Sequence, residues 1–376
     1  MNAFSWQRAV IKVGSALVAP SGSNCSAQYL LPLARFISAS RESGKEVIIV
    51  SSGSVAAGRN AVPVNHTATI AEKQAMAAIG QTQMMANWAR FFDTPCAQVL
   101  LTAGDLADRT RYVNIQNTLR ELLKHNALPI VNENDTVATA ELKVGDNDNL
   151  AAYTALVAQA DTLIMVSDID GLFTADPRKN KDATLIDSVS HIDSSIYAKA
   201  GGAGSAVGTG GMLTKIQAAE KCAQSGIQSV IVNGHKGEVF DALLAGQCPG
   251  TLFVPSLSPQ KARAQWLKYS LHAKGQVVID SGARAALIER KSSLLPKGIL
   301  EVSGHFDAGD CVDIFSAGVN IGKGLALYNS VDLEQIKGLH SKLIPSTLGF
   351  SSAKAAIHRD DLVLINVNDH KNDSKE

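Results

Sequence analysis

The sequence is poor in charge. Only 19% of its 376 residues are Asp, Glu, Lys or Arg, and 35 basic residues cancel 35 acidic ones. Without a global field, a nucleic acid or anionic membrane gathered by bulk charge is excluded, and the expected partner is small or locally recognised. No apolar run approaches the ~18 residues of a membrane-spanning helix. The N-terminal segment MNAFSWQRAVIKVG lacks a secretory apolar core and cleavage site, so the chain reads as cytoplasmic. Cysteine is scarce too: Cys25, Cys96, Cys222, Cys248 and Cys311 are scattered, odd in number and never in a C-x-x-C pair. That excludes a disulfide framework and a structural zinc site, and predicts buried reduced thiols. What remains is 45% hydrophobic residues, ample for two soluble domains with their own cores.

From Ala9 to about Val254, short β-rich apolar runs alternate with longer segments of helical spacing. This predicts an α/β fold, a parallel or mostly parallel sheet covered by helices. The predicted strands are Ala9 to Val13, Glu46 to Val50, Gln98 to Thr102, Leu128 to Val131, Thr162 to Val166 and Ser229 to Val232. Between Ala71 and Phe92 the helical spacing assigns Met76, Ile79, Met84 and Met85 to the core. A Pro/Ser stretch near Pro255 to Pro259 reads as a linker, followed by a helical segment holding Trp266. From Gly275 onward short strands, Gln276 to Ile279, Ile299 to Val302 and Cys311 to Phe315, alternate with glycine turns as in a small β-rich domain.

Ligands of such sheets bind at the carboxyl ends of the strands, so the turns there carry the candidate chemistry. Lys12, Gly14 and Ser15 offer a compact cation and an approachable backbone to a phosphate, although a strand-end lysine can equally be a snorkelling charge. Ser51-Ser52-Gly53-Ser54 before a helix is either an anion nest or an ordinary N-cap by Ser52 or Ser54. Asn132-Glu133-Asn134-Asp135 and Gly145-Asp146-Asn147-Asp148-Asn149 suit an ammonium, a carboxylate and a metal-bound phosphate, or else simply cap turns. The second run lacks the spaced ligands of a calcium loop. From Gly201 a glycine-rich loop runs through Thr209, Gly210, Gly211, Met212, Leu213 and Thr214 to Lys215, a cation at a helix start that only an anion would favour. It is no P-loop, since G-x-x-x-x-G-K-[ST] is absent. Ser167-Asp168 to Pro177 is either an adenine and ribose site or an ordinary turn.

In this order, IKVGS, SSGSVAAGR, LPIVNENDTVATAELKVGDNDNL, SDIDGLFTADPR and GTGGMLTK resemble the amino acid kinase family across nearly all of the first 255 residues. The stretch DSGARAALIERKSSLLPKGI and the strands after it resemble a PUA domain. The resemblance implies a kinase domain over 1–257, a linker over 258–272, a PUA-like domain over 273–368 and a polar tail over 369–376. It implies ATP-dependent phosphorylation of the γ-carboxylate of L-glutamate to γ-glutamyl phosphate, the first step of proline biosynthesis. A carboxylate nucleophile is already ionised at neutral pH, so no general base is required.

By the same resemblance Lys12 and Lys215 flank the transferring phosphoryl group, with Asp148 organising the two ammonium groups. Ser52, Asp135, Asp146 and Asn147 hold glutamate with support from Asn132, and either Asp135 or Asp146 meets its ammonium. Gly14, Ser15, Ser167, Asp168 and the segment from Thr209 to Lys215 bind ATP, while Mg²⁺ is held mainly by phosphates and water, with no protein metal site. Feedback inhibition by proline, a homo-oligomer (tetramer or dimer) and hand-off to glutamyl phosphate reductase are implied as well. Two positions depart from the family pattern: Ala16 replaces a second hydroxyl, and Ala103 stands where relatives often carry a basic residue. A nucleoside monophosphate acceptor would call for arginines, whereas the acceptor segment is rich in Asn and Asp. Aspartate and acetylglutamate remain alternative acceptors. RNA binding by the PUA-like region is disfavoured by its ten Lys and Arg against ten Asp and Glu between Ala273 and Asn368.

Overall fold

The computed structural model describes residues 2–138, 147–200, 211–255, 257–259, 261–262, 272–350 and 353–365. The chain divides into two compact units, Met1–Ala107 with Ile115–Pro259, and Asp108–Asn114 with Gln260–Glu376. The expected helix around Trp266 lies outside the described residues.

The first unit is built on an eight-stranded sheet. In chain order its strands are β1 (Arg8–Val13), β2 (Glu46–Ser51), β3 (Cys96–Leu101), β4 (Leu128–Glu133), β5 (Thr162–Ser167), β6 (Ser188–Val189), β7 (Gln228–Asn233) and β8 (Thr251–Phe253). Their spatial order is β3-β4-β2-β1-β5-β7-β8-β6. Every pairing is parallel except β8 with β7, as the alternating apolar runs predict. The central strands are buried on both faces: Ala9, Val10, Ile11 and Val13 are wholly shielded, and so are Ile48, Ile49 and Val50. Each Val or Ile so buried contributes ~1.5–3 kcal/mol, which is why a continuous apolar run rather than an alternating one specifies such a strand. Among Ala9 to Val13 the one charged side chain is Lys12, at the carboxyl end of β1.

Five helices place the residues of interest: α1 (Leu30–Glu42), α2 (Ser54–Gly58), α3 (Ile70–Ala89), α4 (Asn147–Val157) and α5 (Met212–Gln224). Leu33, Phe36 and Ile37 of α1 join Ile11, Val13, Ile164 and Val232 in one core cluster. Helix α3 starts in a capping box, Thr69 Oγ1 accepting from the Glu72 backbone N–H while Glu72 accepts from the Thr69 backbone N–H at 2.8 Å. Its buried stripe is Met76, Ala77, Gly80, Gln81, Met84 and Trp88. Met85 packs at the edge of the core, but Ile79 is 38% exposed, contrary to its assignment from spacing. Two positions after Ala77, at ~100° per residue, Ile79 points away from the stripe. Helices α2 and α3 cross backbone to backbone. A Cβ on Gly80 would stand 1.8 Å from the Ser54 carbonyl oxygen, and one on Gly58 2.0 Å from that of Met76.

The second unit carries a five-stranded sheet of β9 (Gly275–Ile279), β10 (Ile299–Gly304), β11 (Cys311–Ser316), β12 (Val319–Ala326) and β13 (Ile357–Leu364), ordered β10-β9-β11-β12-β13. Only β9 with β11 is parallel. Val277, Ile279, Ile299, Ile314, Tyr328 and Leu333 are among its core residues. All five cysteines are free thiols; Cys222, Cys248 and Cys311 are buried, Cys25 and Cys96 half-buried. Burial pushes the Cys222 thiol up to about 12, so it stays protonated.

Candidate active site

The end of one strand and the first turns of two helices meet at one carboxylate. Lys12, at the end of β1, places Nζ 2.6 Å from Asp148 Oδ1, and Lys215, in the first turn of α5, places Nζ 3.0 Å from Asp148 Oδ2. Thr214 Oγ1 lies 2.8 Å from both Asp148 Oδ2 and the Gly211 carbonyl oxygen. Side-chain exposure is 7% for Lys12, 4% for Lys215 and 0% for Asp148. Burial pushes the Asp148 carboxyl up, but the Lys12 and Lys215 charges, with hydrogen bonds from Lys12 and Thr214, outweigh it and hold the group below its ordinary value. Asp148 therefore stays ionised. Two ammonium groups share one carboxylate in a largely dehydrated spot, an arrangement that suits a polyanion.

The local sequence explains the positions. Asp148 stands in the first turn of α4, where the macrodipole favours an anion. Lys215 stands where that dipole opposes a cation, and Asp148 offsets the penalty. No side chain caps α5 at Gly211. Lys221 of α5 donates to Asn149 Oδ1 at 2.8 Å, which ties α5 to α4 beside the cluster.

The second group of residues adjoins the first through the chain, because Asn147 precedes Asp148. Asn147 Nδ2 lies 2.8 Å from the Ser51 carbonyl oxygen, 2.8 Å from Ser52 Oγ and 3.0 Å from Asn132 Oδ1. Asn132, buried at the end of β4, donates in turn to Gln81 Oε1 at 2.9 Å. The N-cap of α2 is Gly53 at φ 102°, with no side-chain cap, so the hydroxyl of Ser52 serves Asn147 rather than the helix. Ser54 donates to Asp135 Oδ2 at 3.2 Å, bringing Asp135 against the same turn. Trp88 Nε1 donates to Ser51 Oγ at 2.9 Å and anchors the end of β2 to α3.

The remaining nominated residues are less concentrated. Gly14 donates its backbone N–H to the Val166 carbonyl oxygen at 3.3 Å, so the β1 turn is tied to the end of β5, whereas Ser15 is exposed. Ser167 Oγ donates to Asp168 Oδ1 at 3.1 Å; Ser167 is buried and Asp168 exposed. Met212 is half-buried and Leu213 39% exposed, both in the first turn of α5. Asp146, Thr209 and Gly210 lie outside the described residues. Sequence reasoning missed Gln81, Trp88 and the partners, Lys236 and Asn233, of Asp170 in the turn beyond β5. There Lys236 Nζ stands 2.7 Å from Asp170 Oδ1 and Asn233 Nδ2 2.8 Å, and hydrogen bonds from Lys236 and Asn233 hold the Asp170 carboxyl below its ordinary value. A glutamine in phase with Met84 and Trp88 on a buried stripe was the available signal, since a buried amide must be hydrogen-bonded.

The family model described as "Amino acid kinase family" matches residues 7–233, and the one described as "PUA domain" matches 275–348. A protein named glutamate 5-kinase from Idiomarina loihiensis is 52% identical over 97% of this chain and 99% of its own. One of the same name from Salinibacter ruber is 50% identical over 96% of this chain and 97% of its own. Another from Xanthomonas axonopodis pv. citri is 46% identical over 95% of this chain and its own full length. The kinase model spans seven of the eight strands of the sheet and both residue groups, and the relatives span nearly the whole length: this chain belongs to the amino acid kinase family, with a PUA domain following in sequence.

Proposed function

We propose that the chain phosphorylates the γ-carboxylate of L-glutamate with ATP and Mg²⁺, giving γ-glutamyl phosphate and ADP at the start of proline biosynthesis. The observation that carries this reading is the juxtaposition, at successive residues, of a two-lysine cluster on Asp148 and an amide relay on Asn147. The first suits a transferring phosphoryl group, the second a small polar acceptor. The relatives named glutamate 5-kinase supply the identity of that acceptor.

In the reaction a γ-carboxylate oxygen attacks the γ-phosphorus, an O–P bond forms, and the bond to the ADP oxygen breaks. No proton has to move, because the attacking carboxylate is already ionised at neutral pH. Lys12 and Lys215 sit on opposite oxygens of Asp148, so both ammonium groups are held before substrate arrives. They meet the charge that spreads over the transferring group without reorganising. Asn147, Ser52 and Asn132 orient the amino acid, and either Asp135, which is half-buried, or Asp146 is the carboxylate for its ammonium. Gly14, Ser15, Ser167, Asp168 and the 209–215 segment hold the nucleotide, whose phosphates and waters supply most of the Mg²⁺ ligands.

The kinase domain is taken as 1–257, with 258–272 as linker, 273–368 as PUA-like domain and 369–376 as tail. Among the described residues no helix is long and apolar enough to cross a membrane. A cytoplasmic location, a homo-oligomer, inhibition by proline and delivery of the labile acyl phosphate to a reductase complete the reading. Its test is ADP release with glutamate, aspartate, acetylglutamate and UMP as acceptors in turn. Turnover with glutamate alone is expected, and preference for any other acceptor overturns the assignment.

A further inference from the structure

The polarity of the amide relay follows from one atom. The Ser51 carbonyl oxygen can only accept, so the Asn147 atom 2.8 Å from it is the NH₂ group. That same NH₂ lies 3.0 Å from Asn132, which must therefore present its carbonyl oxygen and turn its own NH₂ the other way. The atom it meets there, at 2.9 Å and in a buried environment, is Gln81 Oε1. Every amide in the series is thus fixed in one orientation. With its nitrogen committed, Asn147 can offer a substrate only an acceptor, which suits an ammonium and not a carboxylate.

We propose that Gln81 is a positioning residue of the amino-acid subsite: by accepting from Asn132 it holds the Asn132 carbonyl oxygen against the Asn147 NH₂, and so keeps Asn147, whose polarity the Ser51 carbonyl oxygen sets, in place for the substrate. Gln81 is 7% exposed and stands next to Gly80, whose backbone touches that of Ser54 in the turn that carries Ser52. Its height on α3 is therefore set by backbone contact, not by a flexible side chain. It also lines a cavity of about 10 Å³ with Ser54, Glu133 and Asp135, room for about one water to accept from its NH₂. Gln81 acts through Asn132 and Asn147 and touches no reacting atom.

Without the Gln81 acceptor the buried Asn132 NH₂ loses its partner, and Asn132 can leave its place against the NH₂ of Asn147 to find another. Gln81→Met keeps the volume and removes the acceptor; Gln81→Glu keeps an acceptor at the same place. The inference rests on the glutamate reading above, and the two fail differently. A wild-type chain inactive on glutamate sinks that reading, whereas an active wild type with an indifferent Gln81→Met sinks only this one.

The experiment measures kcat, both KM values and the glutamate Kd by titration calorimetry, for Gln81→Met, Gln81→Glu, Asn147→Ala and the Gln81→Met/Asn147→Ala pair. For Gln81→Met the glutamate KM and Kd are expected to rise about tenfold, the scale of one lost hydrogen bond, with ATP KM unchanged. Gln81→Glu is expected within about threefold of wild type, and Gln81→Met is expected to add nothing in the Asn147→Ala background. Equal losses in Gln81→Met and Gln81→Glu, additive effects in the pair, or a change confined to ATP KM would each overturn the proposal.

Discussion

Lys12 Nζ stands 2.6 Å from Asp148 Oδ1 in a pair whose side chains are 7% and 0% exposed. A lysine at the end of a buried strand is held there by a carboxylate from a helix far along the chain, and that carboxylate is shared with Lys215 at 3.0 Å. The consequence is a rigid cation pair whose geometry exists before any ligand binds. Preorganisation of this kind lowers the barrier rather than strengthening ground-state binding.

Lys12→Ala and Lys215→Ala are therefore each expected to lower kcat by on the order of 10²–10³-fold with a much smaller change in glutamate KM. Steady-state kinetics check this. Near-normal kcat in both variants would remove the cluster from catalysis.

Asp148→Asn keeps the shape but leaves two buried ammonium groups without their carboxylate. Breaking such a buried network is expected to destabilise the protein by about 3–5 kcal/mol, read as a lowered denaturant midpoint. Because the folded carboxyl lies below its ordinary value, its contribution is fully present above the unfolded value of ~3.9 and is lost as pH falls through the folded value. Acid unfolding of the wild type should accordingly depend more steeply on pH in that window than that of Asp148→Asn, and identical profiles would contradict the assigned charge state.

Asn147→Ala and Ser52→Ala remove the amide and hydroxyl that meet at 2.8 Å. Glutamate KM is expected to rise about tenfold or more while ATP KM stays within about twofold. Selective loss of ATP affinity would mean that the two subsites are exchanged.

Gly80→Ala drives a Cβ to 1.8 Å from the Ser54 carbonyl oxygen, so α2 and α3 must separate. The expected cost is at least the ~1–3 kcal/mol of an overpacked core, outweighing the ~1 kcal/mol gained in helix propensity. Thermal unfolding measures it. Since Ser54 opens the helix that follows Ser52, a raised glutamate KM is expected in the same variant.

Much of this was legible in the residues. Continuous apolar runs located β1, β2 and β4 because strands buried on both faces cannot alternate. Their ends were less legible: β7 includes Gln228 and Asn233, polar residues that satisfy the ladder, whereas Thr102 leaves β3 to accept from the Asp105 backbone N–H. Lys12, Asp148 and Lys215 could each be named, and the family resemblance implied that Asp148 organises both ammonium groups, a convergence that local patterning alone does not give. Gln81 was hidden inside a helix whose periodicity speaks of packing, and the partner that gives it meaning is a strand residue, Asn132, fifty-one positions away. Long-range pairing of that kind leaves no local trace.

The most direct test of the central claim is to trap the product with hydroxylamine. Incubated with ATP, Mg²⁺ and glutamate, the enzyme is predicted to yield γ-glutamyl hydroxamate in step with ADP, and no hydroxamate with aspartate or acetylglutamate. ADP release without hydroxamate, or hydroxamate formed from another acid in preference to glutamate, would contradict the account.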